Sequence, residues 1–163
     1  MTDNIIQLHN ELADCSYIHG KYYSFYVSDP KLRHIYKASV RDCLLHHAVY
    51  RQLYPVFSKK FITQSCSCRI NKGTHRALKY FSVAGNKVSK NNTITCWILQ
   101  CDIKKFFDSI DHEILLNILN KYFGNKYIVW LLKNIVSSFS HSMGKGLLLS
   151  NLISQLLVNI YMN

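Results

Sequence analysis

Residues 93–103 read TITCWILQCDI, a nearly unbroken apolar run rich in β-branched side chains that ends beside an acid. Such a run lacks the polar alternation of a half-exposed strand, so it predicts a central strand covered on both faces. Asp102 then falls at the strand's C-terminal end. An ionised carboxylate there is costly unless something positive satisfies it. Ligands of open sheets gather at the carboxyl ends of strands, so Asp102 is either a metal ligand or one half of a buried ion pair.

Around that run the pattern is mostly helical. Ile5, Ile6, Leu8 and Leu12 predict a short amphipathic helix over residues 2–13. The aromatic and branched stretches YYSFYV (22–27) and LRHIY (32–36) flank Ser28, Asp29, Pro30 and Lys31, which predicts a hairpin. Ser39, three before Asp42, caps a helix through CLLHHAVYRQLY that stops before Pro55. A polar loop, SCSCRINKG (65–73), leads into a helix from Thr74, with Arg69 and Lys72 near its N-terminus, where amide groups and the helix dipole favour anions. Asn91 and Asn92 signal a turn. Asp111 caps a helix that stops at Gly124, a second helix covers about 126–139, and a last apolar helix begins near Asn151.

The chain has 163 residues, enough for one domain, and shows no linker or repeat. With 48% hydrophobic residues it is not a disordered tail. No stretch approaches the roughly 18 uncharged apolar residues of a membrane helix, and the first residues do not resemble a signal peptide, so a cytoplasmic protein without membrane contact is expected. Six irregularly spaced cysteines suggest reduced, buried thiols; Cys66 and Cys68 with the distant His75 make a poor zinc pattern.

Charge is more informative. Lys and Arg number 20 against 9 Asp and Glu, a formal +11. No carboxylate occurs between Asp42 and Asp102, where nine cations lie, and none follows Glu113. Long one-sign segments suit a polyphosphate partner, because each neutralised phosphate releases counterions. A solvated basic surface or a membrane-surface patch would share the composition. Four of the acids, Asp102, Asp108, Asp111 and Glu113, crowd into one short segment. Asp111 and Glu113 suit the first turn of a helix, and Asp108 suits a turn or a supporting role.

The segment CDIKKFFDSIDHEIL resembles the block that carries the first catalytic aspartate of reverse transcriptases, in particular the bacterial group of group II intron, retron and diversity-generating retroelement enzymes. RHIYKASVRDCLLHHAVY resembles the first fingers block of that group, SCSCRINKGTHRAL the second, and GKGLLLSNLISQLLVNIYMN the glycine-containing block. The four occur in order over roughly residues 25–163.

That resemblance implies an α/β (α+β) fold: the fingers (about 1–92) and partial palm (about 93–163) of a right-handed polymerase, a single domain. It implies RNA-directed DNA polymerisation with RNA template, DNA primer, dNTP and two Mg²⁺ about 3.5–4 Å apart. Asp102 is then the catalytic metal ligand, with Ile103 beside it. Phe107, or its neighbour Phe106, is the aromatic against the sugar that refuses a 2′-hydroxyl. Arg69 and Lys72 neutralise the triphosphate, and Arg33, Lys37, Arg41, Ser154 and Gln155 face template or nascent pair. The plainer alternatives are a core pair for the two phenylalanines and a solvated face for the cations.

The chain departs from that pattern. The family's Tyr-x-Asp-Asp element is missing, so the chain is expected not to polymerise DNA alone, and its last helix is expected to leave apolar surface uncovered. The loop Gly146, Leu147, Leu148, Leu149, Ser150 has Leu for the usual proline and Ser for the second glycine, and Asn71 replaces a frequent glycine. The rival expectations are a noncatalytic, maturase-like RNA-binding module and an inactive gene remnant.

Overall fold

The computed structural model describes residues 2–28, 30–149 and 151–163. Asp29 of the expected turn and Ser150 of the glycine-containing loop therefore lie outside the described residues, with Met1. The elements run α1 (Thr2–Ala13), β1 (Tyr23–Ser28), β2 (Leu32–Lys37), α2 (Val40–Phe57), α3 (Thr74–Val88), α4 (Phe106–Ser109), α5 (His112–Tyr122), α6 (Lys126–Ser137) and α7 (Leu152–Tyr161).

Local chemistry explains most of these boundaries. Ser39 accepts a hydrogen bond from the Asp42 amide, Asp111 accepts from the amides of Glu113 and Ile114, Asn125 from Tyr127 and Asn151 from Ile153. Each satisfies a donor that the first helical turn leaves without a partner. Strands β1 and β2 pair antiparallel from Tyr23↔Lys37 to Ser28↔Leu32. Lys90, Asn91 and Asn92 all adopt positive φ, which makes the expected turn. Asn71 also has a left-handed φ of 58°, so asparagine occupies a backbone position that favours glycine and that asparagine tolerates.

One expected stop moves. Helix α2 does not end before Pro55 but runs through it to Phe57. Proline removes one hydrogen bond of the last turn. Phe57 offsets that loss: it is 1% exposed and meets the rings of Tyr122 and Phe123 edge-on.

The core centres on α7, which packs against α2 and α5, while α6 covers α5 and α1 lies on α2. Ile153, Leu156, Leu157 and Ile160 are buried together with Leu53, Phe57, Leu115, Leu119 and Leu132. The expected uncovered last helix is thus corrected: α2 and α5 pack on it, and α6 joins the same buried cluster. Burial at about 25 cal/mol per Å² makes this cluster the main source of stability.

The expected central strand is also overturned. No regular structure covers residues 95–103, and Trp97 is 95% and Leu99 88% exposed. A strand needs a neighbour to take up its amides and carbonyls, and β1–β2 is the sole sheet among the described residues. The chain is therefore α+β, with helices around a core and one small antiparallel hairpin. Helix α3 likewise buries no residue. The thiols are free, yet Cys66 alone is fully buried, so the expectation of buried cysteines fails for the other five.

Candidate nucleic-acid interface

The chain brings three distant segments together at one cleft of about 370 Å³, lined by His34 and Tyr36 of β2, Phe106 and Phe107 of α4, and Phe139, His141 and Leu147–Leu149. Main-chain hydrogen bonds build its wall. The Leu147 amide donates to the Phe107 carbonyl and the Gly146 amide to that of Ile110, both at 2.9 Å. The His112 amide donates to Gly144 at 3.0 Å, and the buried His112 ring meets the Gly146 carbonyl at 2.7 Å through Nε2, which therefore carries the proton.

Gly146 is required here. Its φ is 109°, and a Cβ at this position would lie 2.9 Å from the His141 nitrogen. At the other end of the wall, Lys105 starts α4 from a left-handed φ of 51° without being glycine, a conformation that costs about 1–2 kcal/mol. Phe106 and Phe107 are half-buried, meet edge-on at 6.0 Å, and pack against the core. They thus combine the core role with a place on the cleft.

Other expected site residues go elsewhere. Asp102 and Ile103 are exposed and do not line the cleft. Asp102 is neither at a strand end nor in a buried ion pair, because the strand that would bury it does not form. Among the described residues no group of three or more His, Cys, Asp or Glu could hold a metal ion. Neither Asp102 nor the set of Cys66, Cys68 and His75 belongs to such a group.

Arg69 is a strut rather than a free cation. Its terminal nitrogens donate to the carbonyls of Ser58 (2.8 Å), Ile62 (3.0 Å) and Ser65 (3.0 Å), its guanidinium lies over Phe61, and its Nε is buried without a partner. Lys72 donates to the Thr63 carbonyl and the Tyr80 hydroxyl, which Arg76 also approaches at 3.2 Å. Hydrogen bonds from Arg76 and then Lys72 lower the Tyr80 pKa.

Arg41, expected to face template, instead grips both Glu11 oxygens at 2.9 and 3.0 Å and the Ile18 carbonyl, fastening α1 to α2. One terminal nitrogen of the guanidinium serves the carboxylate and the other the carbonyl, so the planar group joins the two. Arg33 and Lys37 stand exposed on β2. Ser154 is buried inside α7, which removes it from any template surface, and Gln155 is half-buried. Asn159 ties α7 to the Ser67 carbonyl at 3.1 Å.

A buried polar network that sequence reasoning missed joins the hairpin root to α2 and α7. Asp42, 1% exposed, accepts from Tyr17 (2.7 Å), Ser39 (2.6 Å) and the Gly20 amide (3.2 Å). Burial alone would raise its pKa, but the Ser39 and Tyr17 hydrogen bonds hold the carboxyl below its ordinary value. Burial, then donation to Asp42, raises the Tyr17 hydroxyl well above the usual range. Burial likewise pushes Tyr22 up to about 12.

His46 Nδ1 faces the Asn151 amide nitrogen at 2.8 Å and its Nε2 faces His19 Nε2 at 3.2 Å. Since the Asn151 amide donates, Nδ1 of His46 accepts, Nε2 carries the proton, and His19 receives it. Burial, helped by His19, lowers the His46 pKa to about 4. The visible signal was His46 on the apolar face of a helix that Ser39 and Asp42 cap; its partner, 105 residues away, had none.

No family model matches the sequence. The chain is 23% identical over 142 residues to protein YkfC of Escherichia coli, covering 83% of this chain and 37% of YkfC. It is 28% identical over 129 residues to a COX1/OXI3 intron 1 protein of Saccharomyces cerevisiae, covering 75% of this chain and 15% of that protein. The chain thus spans well under half the length of either relative. No helix among the described residues is long and apolar enough to cross a membrane.

Proposed function

We propose that this chain is the RNA-facing part of a reverse-transcriptase-type protein, holding an RNA template strand beside a cleft in which an incoming deoxynucleotide is selected. The observation that carries this reading is the cleft wall itself. Two blocks about 40 residues apart in sequence, one bearing Phe106 and Phe107 and the other Gly146 and Leu147, are joined by direct main-chain hydrogen bonds. The hairpin's His34 and Tyr36 face them. The +11 charge supports a polyanionic partner, and similarity to a protein named for an intron is compatible with RNA.

The described carboxylates do not assemble a metal centre, so no nucleotidyl-transfer step is derived for this chain. Its own residues supply template attraction through Arg33 and Lys37, and a rigid aromatic wall at Phe107. The second reading is a noncatalytic, maturase-like RNA-binding module. It is favoured by Arg69, whose terminal nitrogens are spent on loop carbonyls, and by Asp102, which stands outside the cleft.

Primer extension on an RNA template with Mg²⁺ and dNTPs separates the two, using the chain alone and the chain fused to a Tyr-x-Asp-Asp-bearing segment. The polymerase reading expects extension by the fusion and its loss in Asp102→Ala. RNA binding without extension in either form supports the module. Extension undiminished by Asp102→Ala would remove Asp102 from the reaction.

A further inference from the structure

The face of the hairpin that meets the cleft carries three rings in a continuous row. Tyr26 and His34, direct cross-strand partners, lie parallel at 4.4 Å with only 9° between their planes. His34 and Tyr36, two residues apart on the same strand and so on the same face, are also 4.4 Å apart, with their planes tilted by 46°. Tyr36 then meets Phe139 edge-on at 5.1 Å. The track therefore leads from the hairpin into the cleft, whose lining includes His34, Tyr36, Phe139 and Phe107.

Cross-strand ring pairs stabilise hairpins, and that role accounts for part of this arrangement. It does not account for the exposure. Tyr26 is 66% exposed and His34 is also exposed, so the outer part of the stack shows π-surface to water rather than to a core. Lys31, Arg33 and Lys37 lie on the same hairpin, Arg33 and Lys37 on the face opposite His34 and Tyr36, and none makes an ion pair among the described residues. The hairpin's one acid, Asp29, is outside the described residues.

We propose that the Tyr26, His34 and Tyr36 rings form a stacking platform for unpaired nucleotides of an RNA strand, which they lead toward the Phe107 cleft. Every base offers a π-face whatever its sequence, and the hairpin's cations, Lys31 at its turn and Arg33 and Lys37 on its other face, draw a polyanion to this element. A duplex keeps its base faces stacked internally, so it cannot use the platform. The proposal rests on the nucleic-acid reading above and adds to it the strand state of the ligand and the residues that sense it.

The test is fluorescence anisotropy of the 163-residue chain with a short labelled single-stranded RNA and with a blunt RNA duplex of the same length. The double substitution Tyr26→Ala with His34→Ala is expected to weaken single-strand binding about tenfold or more and to leave duplex binding unchanged. Tyr26→Phe with His34→Phe keeps the rings and is expected to bind as the parent does. If the alanine pair binds single strands as the parent does, while Lys31→Gln, Arg33→Gln and Lys37→Gln together weaken binding, phosphate attraction alone is at work. The platform then falls and the nucleic-acid reading survives. If the parent binds neither RNA, both fall. Should the alanine pair lose the hairpin, photocrosslinking of iodouridine-bearing single-stranded RNA to the parent decides: adducts at Tyr26 or His34 support the platform, and adducts confined elsewhere overturn it.

Discussion

Helix α7 and the segment 93–103 are equally apolar to the eye, yet one is the centre of the core and the other lies in water. In α7, Leu156 and Leu157 are each 1% exposed, while Trp97 and Leu99 of the outer segment are almost fully accessible. The difference is the neighbours. Helix α7 satisfies its own backbone and needs only side-chain partners, which α2 and α5 supply. A strand needs another strand for its hydrogen bonds, and no such strand pairs with residues 93–103 among the described residues. Hydrophobic pattern therefore predicts burial only where the backbone is already provided for.

The core side chains of α7 carry the largest expected effect. Leu156→Ala should cost about 2–5 kcal/mol by removing a fully enclosed side chain, read from the urea midpoint; a loss as small as that of a surface change would place α7 outside the core. Acid should act next most strongly, through the network beside α7. The unfolded chain protonates His46 near its ordinary 6.5, whereas the folded chain resists until about 4. Stability is therefore complete above pH 6.5 and declines as pH falls through that window, by up to about 3 kcal/mol. Asp42, held low, adds a loss of the same sign as pH falls through its folded pKa. His46→Gln should flatten the decline between pH 6.5 and 4 in urea titrations, and an unchanged slope would exclude His46 as its source.

Lys105→Gly should stabilise by about 1 kcal/mol, since glycine adopts the left-handed conformation at α4 without strain; thermal melts check this. At the outer segment, Leu99→Ala should change stability by less than about 0.5 kcal/mol. Amides of residues 95–103 should exchange with solvent far faster than those of α7, and protection equal to α7 would show that the segment is covered in solution.

What could be read in the residues follows the same line. Caps at Ser39, Asp111 and Asn151 are short-range chemistry, and the helices they start were legible, as was the hairpin. The strand over 93–103 was not, because its fate depends on a distant partner rather than on its own pattern. The candidate site divides similarly. Phe106 and Phe107 were visible within one block, and the structure puts them on the cleft. Arg41 and Arg69 looked like free cations because Glu11 and the carbonyls of Ser58, Ile62 and Ser65 become their partners only once the chain has folded. The His46 to Asn151 link, spanning 105 residues, had no local signature.

The engagement of Arg69 has a consequence for any anion that approaches the loop between α2 and α3. A phosphate group claiming that guanidinium must first pull it from three carbonyl oxygens, and those oxygens would then need water or another donor. Holding the loop closed and holding a ligand are competing uses of one side chain, so occupancy by a phosphate at Arg69 would register as loosening of residues 58–65.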